Sequence, residues 1–335
     1  MHKNEGELYI SPINLYHMMC YSFRDLKSIT PEELGEKAFS KIEMMLCVIL
    51  MHGITRQFRR GLYKEYVEEE GLLPALRGKI DIHETIRLKT QVSRHIYCHF
   101  EEFSEDNIYN QVLKALCLLI LQRGRIDILE RKQFKRLLIS FHKVKDISLD
   151  CVAWGKLSYE KNKFHYKMLL QIGYIIHKGI HMDPVQGVGY LDEGIFERFY
   201  KTFIWGYFAT ECDNIRVSYE KIADYDEVAS DIILHREEEG LLVHTYLNQN
   251  SNHQGDAAHQ KAMIVKEIKK MLLTLEGDNN MLQGIVKGVL LYPSFEIIPA
   301  EVYQLGKYII YVKAIDLRQS IIHIKNELKE ISQLI

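Results

Sequence analysis

The sequence predicts an α/β (α+β) protein of two domains: an N-terminal helical and β-hairpin domain, then a domain with a mixed sheet. Apolar residues recur at helical spacing through much of the first half, most clearly in Asn107–Arg123. Strand-like runs dominate the second half and alternate with single helices. Residues 179–194 are rich in Gly and Pro, so we place the boundary near residue 185, between domains 1–185 and 186–335.

Composition narrows the class of protein. Of the 335 residues, 47% are hydrophobic and 26% are charged, which is ordinary for a soluble globular chain. The formal net charge of −2 gives no overall attraction to nucleic acid, so any basic surface must be local. Six cysteines without CxxC spacing favour buried free thiols in a reducing cytosol. The first ten residues lack the apolar core of a signal peptide, and we expect a cytoplasmic protein.

The first domain should combine helices with one hairpin-rich module. In that module LYKEYV and RGKIDI are predicted strands, and EEEGLLP is the predicted turn between them. Tyr97–Phe103 is a further predicted strand. Apolar stripes predict helices at Ile10–Arg24, Glu36–Arg60, Asn107–Arg123, Arg131–Phe141 and Lys163–Lys178.

The second domain should form one compact layered structure of helices and strands. The predicted helices are Ile195–Glu211, Asp256–Leu275 and Leu317–Leu334. The predicted strands are Ile215–Ile222, Val228–His235, Gly240–Leu247, Ile285–Tyr292 and Tyr308–Ile315.

The chemically informative residues lie on the predicted hairpin within Tyr225–Gln249. In nucleases of the PD-(D/E)xK class, such a hairpin carries an aspartate on its first strand and an acid-x-lysine motif on its second. These groups bind a hard divalent metal that activates water, and the two-residue spacing keeps acid and lysine on one face of the strand. Here Asp231 occupies the first position, His244 replaces the acid and Tyr246 replaces the lysine. The predicted hairpin therefore matches that of the nuclease site, but two of its three catalytic residues are replaced.

Each hairpin residue also has an ordinary structural explanation. Asp231 could be a turn or edge aspartate, and His244 a half-buried polar residue that has drifted from the motif. Tyr246 suits a strand by propensity and needs no function.

Three residues on neighbouring helices are alternative site members. Glu197, on the helix before the hairpin, falls where many such nucleases place a supporting carboxylate, and it equally suits a solvated helix surface. Lys261 and Glu267, on the helix after the hairpin, could supply the missing lysine and acid, because related folds relocate these groups.

Several segments together resemble McrC, the nuclease subunit of McrBC modification-dependent restriction systems. LYHMMCYSF is similar to the family's opening helix, and FRRGLYKEYVEEEGLLPALRGKIDIHETIR to its most recognisable segment. FEEFSEDNIYNQVLKALCLLIL, SDIIL, GVLLYP and AIDL follow in the family's order. The resemblance runs over almost the whole chain.

This resemblance implies a stalk domain that docks on a hexameric ring of McrB, an AAA+ GTPase, and stimulates its GTP hydrolysis. It implies a PD-(D/E)xK restriction-endonuclease-like second domain that cuts methylated DNA within the complex, as part of phage defence. GTP would bind to the partner, and this sequence indeed has no GxxxxGK[ST] motif. We expect the basic residues of the stalk to serve the partner interface; these are Arg56, Arg59, Arg60, Arg77 and Lys79.

The family's catalytic motif falls on Asp231 and on His244-Thr245-Tyr246. Histidine suits zinc, copper or nickel better than magnesium, and tyrosine supplies no ammonium charge. Asp231 and Glu197 are then the oxygen ligands left for Mg²⁺, which should bind weakly if at all. We therefore predict a degenerate nuclease domain.

Three functional hypotheses follow. The first is a regulatory subunit that stimulates the GTPase ring and cuts DNA poorly or not at all. The second is an active metal-dependent endonuclease with a rearranged site. The third is a diverged defence protein that works with a different ATPase.

Overall fold

The computed structural model describes residues 10–88, 95–123, 125–160, 163–182, 189–219, 231–237, 239–247, 257–276, 284–294 and 298–335. Within these residues, no helix is both long and apolar enough to cross a membrane. The six cysteines all lie within these residues and form no disulfide bonds; Cys47, Cys98 and Cys117 are buried, and Cys151 is exposed.

The chain forms two compact units, and their limits differ from the predicted domains. One unit comprises Met1–Met45 together with Lys178–Ile335, and the other comprises Leu46–His177. The later limit lies close to the predicted boundary at residue 185, which itself falls outside the described residues. The N-terminal segment, however, groups with the C-terminal half rather than with the predicted first domain.

The unit of residues 46–177 combines helices with a small sheet. Strand β3 lies at the centre of this three-stranded antiparallel sheet, between β1 and β2. Its strands are β1 (Glu65–Leu73), β2 (Lys79–Ile80) and β3 (Ile96–Ser104). Its helices are α3 (Ile42–Arg60, which begins in the other unit), α4 (Ile82–Arg87), α5 (Ile108–Arg123), α6 (Ile128–Ser140) and α7 (Phe164–Tyr174).

Two predictions for the β1–β3 sheet are wrong. EEEGLLP is not a turn, because β1 pairs with β3 without interruption from Glu65 opposite Ser104 to Leu73 opposite Ile96. Half-buried and exposed residues alternate along β1, as expected of a strand with one covered face. RGKIDI forms only the short β2, because the Asp81 carboxylate then accepts a hydrogen bond from the Glu84 N–H at 2.9 Å and starts α4.

The unit containing both chain ends is built on a six-stranded mixed sheet in the order β10-β11-β9-β8-β7-β6. β9 is parallel to both of its neighbours, β8 and β11. The pairs β6–β7, β7–β8 and β10–β11 are antiparallel. The strands are β6 (Arg216–Tyr219), β7 (Asp231–Arg236), β8 (Glu239–Thr245), β9 (Lys287–Ser294), β10 (Glu301–Leu305) and β11 (Tyr308–Asp316). The mixed sheet predicted for the second domain is confirmed.

Helices and a small hairpin complete this unit. The helices are α1 (Pro12–Ser22), α2 (Pro31–Leu34), α8 (Glu193–Glu211), α9 (Ala257–Glu276) and α10 (Ile321–Ile331). The short strands β4 (Ile180–Met182) and β5 (Gly189–Leu191) flank the Gly- and Pro-rich stretch. α9 covers one face of the sheet, because its residues at helical spacing are buried against Leu242 and Leu290; they are Ile264, Ile268, Met271 and Leu275.

Candidate functional site

The hairpin β7–β8 forms with the register that the site requires. Asp231, at the start of β7, lies directly opposite His244, near the end of β8. Both strands are interior to the sheet, and the apolar runs Ile232–Leu234 and Leu241–Val243 are buried, which explains why these segments are strands with both faces covered. The first predicted strand began at Val228, but residues 228–230 lie outside the described residues.

His244 bridges two carboxylates. Its Nδ1 lies 2.5 Å from the Asp231 carboxylate, and its Nε2 lies 3.2 Å from the carboxylate of Glu267 on α9. His244 is 7% exposed and Glu267 is 5% exposed, whereas the side chain of Asp231 is 34% exposed. An ionised carboxylate only accepts hydrogen bonds, so both contacts form together when the imidazole carries both of its N–H protons, or when one carboxyl is protonated.

A lysine extends this cluster outward. The Lys270 ammonium lies 2.7 and 2.8 Å from the two carboxylate oxygens of Glu267, one helical turn earlier on α9. Its side chain is 55% exposed, so it joins the buried acid to the surface. We define the Asp231 cluster as Asp231, His244, Glu267 and Lys270.

The helix residues proposed from sequence divide into one that joins the cluster and two that do not. Glu267, proposed from the sequence as a relocated acid, lies in it through its contact with His244. Lys261 is exposed on α9, and no contact in the described part of the chain links it to the cluster. Lys270 was missed, although its position three residues after Glu267 is the spacing of a helical ion pair and was a usable signal.

Glu197 lies on α8 and pairs with Lys201 at 2.6 Å, one turn along the helix. Its side chain is 31% exposed. Within the described residues, no contact joins Glu197 to Asp231 or His244, so the structure does not bring it into the cluster as a supporting carboxylate.

Tyr246 follows β8 and faces the apolar core. Its N–H donates to the carbonyl of Leu291 at 3.1 Å, and its ring centroid lies 5.6 Å from that of Tyr292. The residue is 7% exposed, and its hydroxyl has no hydrogen-bond partner within the described part of the chain. Burial raises the pKa of this hydroxyl, and the nearby Tyr292 and Glu267 raise it further. At the position predicted from the sequence for the motif's lysine, Tyr246 therefore supplies a neutral group.

The cluster does not have the geometry of a magnesium site. The two carboxylates contact opposite nitrogens of one imidazole, whereas Mg²⁺ requires oxygen ligands arranged octahedrally around one point. Among the described residues, no group of three His, Cys, Asp or Glu side chains is placed to hold a metal ion. The donor set of Asp231, His244 and Glu267 thus does not fit Mg²⁺ in the arrangement described.

The basic residues proposed for the stalk lie in two places. Arg59 and Arg60 are exposed at the end of α3, where Arg56 is half-buried, and Lys79 is exposed on β2. Arg77 instead packs within its own module. Its guanidinium lies 4.4 Å above the centre of the Phe100 ring and 3.3 Å from the Glu102 carboxylate.

Comparison with known proteins identifies a family for the N-terminal part of the chain. Residues 11–202 match the family model of McrBC 5-methylcytosine restriction system components. That match includes the whole of residues 46–177 and ends before the hairpin of the Asp231 cluster.

A curated relative and two solved structures extend the comparison. The chain is 23% identical over 186 residues to the type IV methyl-directed restriction enzyme EcoKMcrBC of Escherichia coli K12; the alignment covers 55% of this chain and 53% of that relative, about half of its length. The fold matches a chain from a Thermococcus gammatolerans half-complex of McrB AAA+ hexamers with bound McrC, with a TM-score of 0.57 and 14% identity over 96% of this chain and 75% of that one. The Thermococcus gammatolerans McrBC complex gives a TM-score of 0.45 and 14% identity, over 79% of this chain and 71% of that one.

Proposed function

The chain belongs to the family of McrBC 5-methylcytosine restriction system components, and from this premise we propose that it is the McrC-type subunit of such a system. In this proposal it binds a hexameric McrB-like AAA+ GTPase and stimulates GTP hydrolysis. Methylated DNA reaches it through the complex. Its own nuclease-like unit cuts DNA poorly or not at all.

The fold supports the choice of partner. The solved structure whose fold covers 96% of this chain is described as McrB AAA+ hexamers with bound McrC. GTP would bind to the ring, since this sequence has no phosphate-binding GxxxxGK[ST] loop.

The sheet of residues 65–104 is the surface we assign to the ring. Tyr66 and Phe103 lie opposite each other on β1 and β3, with ring centroids 5.2 Å apart, and are 71% and 57% exposed. Exposed aromatic pairs beside cations are typical of protein interfaces. Arg77 and the exposed Lys79 supply the cations in the same module.

The bridging position of His244 is the observation that carries the proposal of weak cutting. Hydrolysis of a phosphodiester by this class of nuclease needs a metal held by several oxygens and a positive group near the attacking water. Here an imidazole lies between the carboxylates of Asp231 and Glu267, and Tyr246 contributes no charge. Each lost electrostatic contact of this type costs about 2.7–4 kcal/mol in the reaction barrier.

A paired assay tests this proposal. We expect negligible Mg²⁺-dependent cutting of methylated duplex DNA by the natural chain with its GTPase ring, while stimulation of GTP hydrolysis persists. The double variant His244→Asp, Tyr246→Lys should gain cutting, because three carboxylates would then converge where the imidazole now lies. Calorimetric titration with Mg²⁺ should show binding to the double variant and none to the natural chain.

Robust cutting by the natural chain would instead favour the second candidate, an endonuclease with a rearranged site. The contact between Glu267 and Lys270 motivates this alternative, because it places an acid and a lysine beside Asp231 and His244. In that case Glu267→Gln and Lys270→Ala should abolish cutting, with Lys261→Ala as the matched control on the same helix. If the ring is not stimulated at all, the partner assignment fails and a different ATPase becomes the better hypothesis.

A further inference from the structure

Helix α6 carries aliphatic side chains on its solvent side. Ile128 is 72% exposed, Leu129 is 68% exposed and Ile139 is 74% exposed. The helix is held to its unit by Phe134 and Leu137, which are buried. Leaving three large aliphatic side chains in water has an unfavourable free energy that burial against a partner would recover.

The exposed aliphatic residues fall on one stripe with cations. Residues spaced by four, seven and eleven positions along an α-helix lie within an arc of about 60° around its axis. We define the α6 outer face as the residues on this stripe and at its edge: Ile128, Leu129, Lys132, Lys135, Arg136 and Ile139. Phe134 and Leu137 point to the opposite side, so this face is directed away from the unit's own core.

The charge of the α6 outer face has a single sign. Lys132, Lys135 and Arg136 are exposed cations. The acid of the helix, Glu130, is outside this face and has one carboxylate oxygen buried. Cations in the middle with aliphatic residues at both ends match an acidic surface that also offers apolar pockets. A nucleic acid backbone would pair with the cations but would leave Ile128 and Ile139 without apolar contacts.

We propose that the α6 outer face is a second docking site on this chain for the GTPase ring, and that it binds an acidic ring surface with pockets for Ile128 and Ile139. This inference rests on the proposed function, since it takes the ring as the partner. It differs from the assignment of the β1–β3 sheet, because α6 uses the i, i+4, i+7, i+11 pattern of a helix that docks into a groove.

The test measures binding of the full-length chain to the immobilised cognate GTPase hexamer. Lys132→Glu with Lys135→Glu should weaken binding about tenfold or more and reduce its salt dependence. The matched control is Lys266→Glu with Lys269→Glu, two exposed lysines with the same three-residue spacing on α9. This control should change affinity less than about twofold.

The apolar contribution is tested separately. Ile139→Ala should weaken binding about three- to tenfold if its side chain enters a pocket. Leu273→Ala, which truncates a side chain that is 70% exposed on α9, serves as its control and should have little effect. All these positions are exposed, and equal urea midpoints will show that each variant remains folded.

Two results would overturn the inference while leaving the proposed function intact. One is unchanged ring affinity in both α6 variants, with normal binding by the natural chain. The other is a loss confined to duplex DNA binding, which would assign the α6 outer face to nucleic acid. If the natural chain itself does not bind the ring, the proposed function fails first.

Discussion

At the level of single residues, Tyr246 is a buried polar group at the position predicted for the motif's lysine. Its hydroxyl is buried without a hydrogen-bond partner in the described part of the chain. Replacing it by Phe would remove the cost of desolvating that hydroxyl and keep the ring packed against Tyr292. We expect Tyr246→Phe to raise the free energy of unfolding by about 1 kcal/mol, measured by urea denaturation at pH 7.

The same variant should change the stability at alkaline pH. Because the pKa of Tyr246 is raised in the folded protein, the ionisation of this hydroxyl does not reduce the free energy of unfolding below the unfolded pKa of about 10. As the pH rises from there through the folded pKa, the unfolded state loses the proton first, and the free energy of unfolding falls. Tyr246→Phe should therefore lose less stability than the natural chain above pH 10. Lower stability of the variant at pH 7 would show that the hydroxyl has a partner after all.

The part of the site that lies on the β7–β8 hairpin could be predicted from the sequence, because strand pairing determines which residues face each other. Residues on a hairpin face each other in register, so the spacing from Asp231 to His244 predicted their proximity, and the 2.5 Å contact confirms it. The choice between Lys261 and Lys270 depends on how α9 is rotated and shifted against the sheet. That arrangement follows from side-chain packing across the whole core, which local sequence patterns do not specify.

At the level of secondary-structure elements, the segment Leu76–Asp81 requires a glycine at position 78 for a physical reason. Gly78 has φ +70°, and a Cβ at this position would lie 2.3 Å from the carbonyl oxygen of His99 and 2.9 Å from Cα of Phe100. A side chain would thus strain the backbone and separate β2 from β3. Asp81 then begins α4, so the glycine and the aspartate together shape this end of the sheet.

We expect Gly78→Ala to destabilise the chain by about 2 kcal/mol or more, since it combines an unfavourable φ with a backbone clash. Gly71→Ala is the matched control in β1, because a Cβ there has nothing within 4 Å. Urea denaturation of both variants measures the difference, and GTPase stimulation should fall with Gly78→Ala alone. Equal stability of the two variants would contradict this account of the segment.

The elements themselves were predicted unevenly. Long apolar stripes gave good helix limits, as in Ile195–Glu211 against the observed Glu193–Glu211. The edge strand β10 was missed because four of its five residues are exposed, so it lacks the apolar alternation of a covered strand. A strand is recognised from sequence by what it buries, and β10 is held mainly by its pairing with β11.

At the level of the whole molecule, the N-terminal segment is part of the unit that contains the mixed sheet. The Asn14 side-chain amide donates to the carbonyls of Leu317 and Gln319, each at 2.8 Å, across more than 300 residues. The Tyr21 ring packs edge-on against Phe203 of α8. Such long-range contacts leave no periodic signal, and the domain boundary drawn from linker composition could not include them.

This arrangement predicts that Asn14 matters beyond its own helix. Asn14 is 3% exposed, and Asn14→Ala would leave the buried carbonyl of Leu317 and the partly buried carbonyl of Gln319 without their donor. We expect a loss of about 1–3 kcal/mol in the free energy of unfolding. Ser11→Ala, which removes a partly exposed cap of the same helix, should cost about 1 kcal/mol. A smaller effect of Asn14→Ala than of Ser11→Ala would contradict the importance of this contact.

The final prediction tests the proposed action of the chain on a GTPase ring. Arg77 is unsuitable for a charge-reversing substitution, because its packing on Phe100 would be lost together with its charge. The exposed stalk cations Arg59, Arg60 and Lys79 allow a cleaner test. Reversing these three to Glu should lower stimulated GTP hydrolysis about tenfold, since each reversal replaces attraction at the ring surface by repulsion.

The matched control for this reversal is a triple variant of exposed lysines in the other unit: Lys266→Glu, Lys269→Glu and Lys329→Glu. It produces the same change in net charge, so a nonspecific effect of charge would lower stimulation equally in both variants. DNA affinity of the isolated chain provides the second measurement. If the stalk variant kept full stimulation and lost DNA affinity steeply with increasing salt, these cations would contact phosphates rather than the ring, because counterion release gives nucleic acid binding that dependence.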